Sequence, residues 1–192
     1  QTANYEFVGE VSVTGSSGSG NGDLTFDASG NLYLVWSLNR TGNDPDHILS
    51  RLEASALDTL NGGSVTATQV TTWVNGQGIS DTYNGVTFDG QGYLWATYSG
   101  GARRINPSTG VIVDSPVTRT NLVDMASCGL PPTMRLQKDV VGRYAAGNQF
   151  QLHIDTVGKN DVAPAATTEG NTTGVKPQNV GPAVVVVNNQ YT

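Results

Sequence analysis

Asp27 and Asp89 stand in two stretches that read almost alike, NGDLTFDASGNLYLVW (21–36) and YNGVTFDGQGYLWATY (83–98). An aspartate in a tight turn has two uses. Its carboxylate can accept hydrogen bonds from backbone N–H groups a few residues on, or it can join other oxygen donors around a hard cation such as calcium. Neither turn carries the dense Asp/Asn spacing of a dedicated calcium loop, so turn capping is the leading expectation and calcium the alternative at both. Asp44 and Asp46, beside His47 in TGNDPDH (41–47), form the most acidic local cluster. They are the other candidate metal ligands, weighed against the plainer role of a solvated loop between strands.

The remaining reactive side chains are few. His47 and His153 are the only histidines, and Cys128 is the only cysteine. One cysteine makes neither an internal disulfide nor a thiolate zinc site. A catalytic zinc usually takes three protein ligands. In FQLHID (150–155) strand alternation sets His153 opposite Leu152 and Ile154, at a surface or strand edge. No GxSxG elbow is present for Ser-His-Asp chemistry, and no His or Lys neighbours Cys128 in sequence to lower its thiol pKa. No enzyme is expected, and no cofactor other than calcium at the acidic turns.

Composition narrows the partners. The formal net charge is -6 with no window rich in Lys or Arg, which sets nucleic acid and anionic membrane surfaces aside. The longest apolar run, PAVVVV (182–187), is far short of the ~20 residues of a membrane span. Charged residues make up only 14% of the chain and Gly numbers 24, the mixture of strands and turns found in all-β proteins.

The elements that must carry these residues follow from the repeat. Aligning Phe26 on Phe88 sets Asp27 on Asp89, Gly30 on Gly92, Leu32 on Leu94 and Tyr33 on Trp95. Each unit reads as a hairpin: a short strand, an Asp-to-Gly turn, and a returning strand rich in aromatic and β-branched residues. HILSRLEA (47–54) and GGARRINPSTGVIV (100–113) add a second hairpin to each. Units at 21–60 and 83–118 thus predict about two four-stranded, propeller-like blades within residues 1–127. A β-sandwich with two similar hairpins is the alternative. A blade cannot bury both faces alone, so further blades are expected outside this chain, or an open packing of the two. Most repeat aromatics should be core. Trp95 and Tyr98, with Trp73 outside the repeat, are the candidates for a protein- or sugar-binding surface.

Residues 128–132, ending in LPP, read as an extended connector. Beyond it TMRLQKDVV, NQFQLHIDTV and AVVVVNNQYT are each strand-like, so residues 133–192 predict a small β-sandwich. Its strand count is low, and truncation or completion by a strand from elsewhere is expected.

The run GNGDLTFDASGNLYLVW, then NGVTFDGQGYLWATYSGGARRINPSTGVIV, then DMASCGLPPTMRLQKDVVGRYAAGNQFQLHI resembles large, secreted, repeat-containing surface proteins of Gram-positive bacteria, mainly actinobacteria. In these a propeller-like segment precedes a prealbumin-like sandwich similar to pilin and adhesin stalk modules. The resemblance implies a non-enzymatic protein of the cell surface or cell wall, working in adhesion or surface architecture. The partners it implies are a host or cell-surface protein or carbohydrate receptor, the remainder of a longer chain, or neighbouring subunits. It also implies a candidate internal isopeptide from Lys138 to Asn188 or Asn189, beside Glu169 or Asp155 as the acid. Two alternatives stand: a filament or coat subunit completed by strands from neighbouring chains, and a calcium-dependent propeller hydrolase.

Overall fold

The structure is a computed structural model, described for residues 6–14, 20–38, 46–73, 83–98, 101–113, 117–118, 124–127, 129–157 and 161–192. It is all-β, with one helical turn among the described residues. The first repeat builds β2 (Gly20–Phe26), β3 (Leu32–Leu38) and β4 (Asp46–Leu52), each antiparallel to the next. The second builds β6 (Tyr83–Phe88), β7 (Leu94–Tyr98), β8 (Gly101–Ile105) and the short β9 (Val117–Thr118), in that order across a four-stranded sheet. Phe26 pairs with Leu32, and Phe88 with Leu94. By this register the two similar stretches fold alike.

The first sheet is larger than the unit 21–60. After β4 a single helical turn, α1 (Ala54–Leu57), leads into β5 (Ser64–Trp73), which pairs with β4. β1 (Glu10–Val13) then adds in parallel to β5, giving the order β1-β5-β4-β3-β2. Trp73 therefore closes a strand of the first sheet and does not lie outside it. The run SVTATQVTTW is dense in β-branched residues that suit a pleated surface, and it pairs with the preceding strand β4 across α1.

Alternation gives each sheet two faces. In the first sheet Tyr33, Val35 and Leu49 share one face, while Leu32, Leu34, Trp36 and Ile48 share the other. In the second, Phe88, Leu94, Ala96 and Ile105 oppose Thr87, Trp95, Thr97 and Arg104. The Phe88 face of the second sheet packs on the Tyr33 face of the first, in one buried cluster. Tyr33 meets Phe88 edge to face, with centroids 5.1 Å apart. Burying one such side chain contributes about 2 kcal/mol, so this shared core holds the sheets together. Where the edge strands β2 and β6 meet, the Val86 N–H donates to Asp23 Oδ2 at 2.7 Å. At the other end the turn of NPSTG fits so closely that a Cβ on Gly110 would fall 2.1 Å from Thr71 Cγ2.

The C-terminal part has its own ladder and core. β10 (Thr133–Val140) runs antiparallel to β13 (Gly174–Val184), and β11 (Gln151–Leu152) pairs with β12 (Ala166–Thr167). Leu152, Ile154, Val162, Ala163, Val180 and Ala183 form its apolar centre. Val184, the last residue of β13, belongs instead to the cluster of the repeat sheets.

Candidate functional site

The two repeat turns are built around their aspartates. Asp27 Oδ1 accepts the N–H groups of Ser29 and Asn31 at 2.8 and 3.0 Å, and Oδ2 accepts the Asn31 side-chain amide at 2.9 Å. Asp89 Oδ1 accepts the N–H groups of Gln91 and Tyr93 at 2.9 and 3.0 Å. Its Oδ2 accepts Trp95 Nε1 at 2.9 Å and Arg104 Nε at 2.8 Å. Gly30 and Gly92 close the turns at φ of +80° and +90°, a region glycine enters without strain. These donors are those of turn capping, and on Asp89 they occupy both lone pairs of each oxygen. Burial pushes the Asp89 carboxyl up. The hydrogen bonds from Trp95, Tyr93, Gln91 and Arg104 together outweigh it and hold the group below the usual carboxylate range.

Asp44 lies outside the described residues. Asp46 opens β4, its backbone paired with Leu38. His47 is buried, its ring 4.9 Å from that of Tyr83. Cys128 also falls outside the described residues.

The binding-surface candidates are tied into the fold. Trp95 is half-buried and holds Asp89 through its indole, with the Arg104 guanidinium 6.0 Å from its ring. Tyr98 packs edge-on to Tyr83, and Arg103 stands 5.3 Å from its ring. Trp73 pairs with His47 through its backbone.

The repeats and the C-terminal part are joined by direct contacts. The Val187 N–H donates to the Gln91 carbonyl at 3.0 Å, and the Val185 N–H to that of Pro132 at 2.9 Å. A Cβ on Gly92 would lie 2.1 Å from the Val185 carbonyl oxygen. Arg51 bridges the same two parts: it pairs with Glu53 and donates to the Val162 carbonyl. Register places Arg51 opposite Tyr33 and Arg104 opposite Trp95, so the two arginines are equivalent. One reaches the C-terminal part, and the other the Asp89 turn.

Within the C-terminal part the structure gathers a cluster that sequence reasoning missed. His153, Asp155 and Asp161 each offer one ligand atom, all within 4.8 Å of one another. His153 Nδ1 and Asp161 Oδ1 are 2.6 Å apart. An isolated bridge between Asp155 and Asp161 brings the carboxylates together. Burial, then the hydrogen bond and charge of Asp161, push the Asp155 carboxyl above the usual range, while His153 pulls it down. One imidazole nitrogen and two carboxylate oxygens suit a divalent cation of intermediate softness. His153 and Asp161 also hydrogen-bond each other, while Asp155 Oδ1 is buried without a hydrogen-bond partner. The sequence signal was the spacing H-x-D-x5-D, too sparse to stand out.

Lys138 Nζ lies 5.1 Å from the Phe150 ring centroid, which Arg143 approaches from 6.0 Å. Asn188 and Asn189 sit in an exposed turn beyond Val187, where Asn188 has a φ of +68°, and Glu169 is exposed. The structure thus ties Lys138 to Phe150 and the asparagines to the junction turn. A different lysine, Lys176, is buried in β13 with its Nζ 2.9 Å from Thr172 Oγ1.

An open cleft of about 420 Å³ runs along β2 and β6, with Phe26, Phe88, Met125 and Leu130 on its walls. No described helix is long and apolar enough to cross a membrane.

Residues 133–192 match the family model of a SpaA-type prealbumin-like fold domain. The match opens at the first residue of β10 and takes in the whole C-terminal part. No curated protein and no solved structure matches the chain. The C-terminal part is therefore similar to the prealbumin-like modules of pilin-type and surface-type proteins of Gram-positive bacteria.

Proposed function

We propose that the chain is a non-enzymatic part of an extracellular bacterial surface protein, working in adhesion or surface architecture. Residues 1–127 carry propeller-like repeat sheets, 128–132 connect them, and 133–192 form the prealbumin-like module. The observation that carries the reading is the prealbumin-like match over 133–192, joined to the repeats through Val184, Val187 and Arg51. A spacer module bonded in this way transmits force to the repeat sheets without a free hinge, which suits a stalk or scaffold. Three of the side chains that could do chemistry are engaged in structure: Asp27 and Asp89 cap turns, and His47 packs on Tyr83. That favours architecture over the calcium-dependent hydrolase. Antibodies raised against the purified protein test the reading on source cells. Labelling of intact cells supports it, and labelling only after permeabilisation overturns it.

A second reading, a filament or coat subunit, has one observation in its favour. Among the described residues β10 and β13 form a two-stranded ribbon with no partner on either outer edge, and Met134, Leu136 and Val175 are exposed on it. Strands from neighbouring chains could extend such a ribbon.

A further inference from the structure

Phe26 and Phe88 hold the same place in the two repeats. Each ends the first strand of its hairpin, pairs with a leucine, and precedes an Asp-capped turn. Yet Phe26 is 48% exposed and Phe88 only 2%. Local structure is the same, so the difference lies across the face. Phe88 belongs to the face that docks on Tyr33, Val35 and Leu49 of the first sheet. Phe26 belongs to the corresponding face of the first sheet, together with Leu24, Leu34 and Trp36. α1 covers the Leu32–Leu52 end of that face through Ala56 and Leu57. Leu24, 50% exposed, and Phe26 form a strip along β2 that α1 leaves open and that Met125 and Leu130 face across the cleft.

We infer that the Leu24–Phe26 strip is a docking surface for a further sheet of this same repeat, which presents a face of the Tyr33, Val35 and Leu49 type. The sheet would sit there as the second sheet's Phe88 face sits on the first. The inference rests on the repeat-sheet reading above and names the surface through which the repeats continue. Continuity with the existing interface supplies the occupant's chemistry: an aromatic, a valine and a leucine on one face of a sheet. A second copy of this chain does not fit by the same geometry. Its Tyr33 face is taken by its own second sheet. On that second sheet the equivalent face is also covered, with Thr87, Thr97 and Ala102 buried.

The test compares Phe26→Asp in two settings. One is the 192-residue chain. The other is a chain lengthened by a second copy of residues 20–82 placed directly ahead of residue 20, with the substitution in the unit that adjoins Tyr83. In the 192-residue chain an aspartate on a half-exposed site should move the melting temperature by less than about 2 °C. In the lengthened chain, where the new sheet covers Phe26, the same change should lower it by roughly 6–10 °C. Equal, small shifts in both chains overturn the inference. It is overturned equally if the added residues contribute no β-sheet circular dichroism. Sedimentation of the 192-residue chain adds a second check. A concentration-dependent dimer that Phe26→Asp abolishes would give the face to a second copy and overturn the inference too. The cell-labelling experiment does not touch this comparison, so failure of the surface-protein reading and failure of this docking site are separately visible.

Discussion

Gly92→Ala tests the junction between the repeat turn and the prealbumin-like module. Gly92 sits at φ +90°, and a methyl there would lie 2.1 Å from the Val185 carbonyl oxygen. Two costs add. The left-handed backbone costs an L-residue about 1–2 kcal/mol. Relieving the clash forces a backbone shift worth about 1–3 kcal/mol. The sum is about 2–5 kcal/mol, or on the order of 5–15 °C of melting temperature for a chain of this size. Two companion variants isolate the contact. Gly30, the equivalent residue of the first repeat, has φ +80°, and its Cβ would meet Ala54 Cβ at an ordinary 3.4 Å. Gly30→Ala therefore reports backbone strain alone, about 1–2 kcal/mol. Gly90, in the same turn as Gly92, would place a Cβ in open space, and Gly90→Ala should stay within about 0.5 kcal/mol of the parent. Thermal denaturation followed by far-ultraviolet circular dichroism ranks the three. If Gly92→Ala is no worse than Gly30→Ala, Val185 does not press on the repeat turn and the junction is not fused.

Other outcomes follow from the same contacts. Asp89→Asn should cost about 1–2 kcal/mol after discounting for solvent screening, because an amide has one accepting oxygen and its NH2 leaves either the turn N–H groups or Trp95 and Arg104 without an acceptor. The Asp89 carboxyl is held below its ordinary range, so its contribution is present above that range and is lost as pH falls. Asp89→Asn should accordingly flatten the acid limb of the stability profile, read as melting temperature against pH. Val184→Ala, which empties part of the shared cluster, should cost roughly 2 kcal/mol by urea denaturation. Asp155 moves the other way. Its carboxyl is raised beside Asp161, so the protonated form is the one the fold favours, and that contribution fades as pH rises through the raised value. Asp155→Asn should raise the melting temperature at neutral pH, and a fall would show that the Asp155 carboxylate is needed there.

What the sequence disclosed was local. The Asp-to-Gly turns, the hairpins of both repeats and the NPSTG turn each depend on residues within a few positions of one another, and Asp27, Asp89 and Asn106 cap them as turn chemistry requires. A change of pattern was legible around residue 127, and residues 133–192 match the prealbumin-like model. What the sequence withheld was long-range. β5 returns to β4 and β1 joins β5 in parallel, and no periodicity within a single strand announces its partner. Asp161 reaches Asp155 through an isolated bridge and His153 through its side chain, so no compact motif marks the cluster. Val184 ends a strand that reads as sandwich core, but it is buried with Phe88 and Tyr33. Its apolar character was plain, and the core it enters was not.

The central claim is that the repeat sheets and the prealbumin-like module form one rigid body. Amide hydrogen exchange at Val187 tests it most directly, because its N–H donates across the junction to Gln91 while that of Val185 donates to Pro132, the connector residue next to β10. If the two parts are fused, Val187 exchanges as slowly as Val185, since opening the junction requires breaking the shared core. Exchange at Val187 faster than at Val185 by orders of magnitude would mean that the module swings free of the repeats, and would contradict the account.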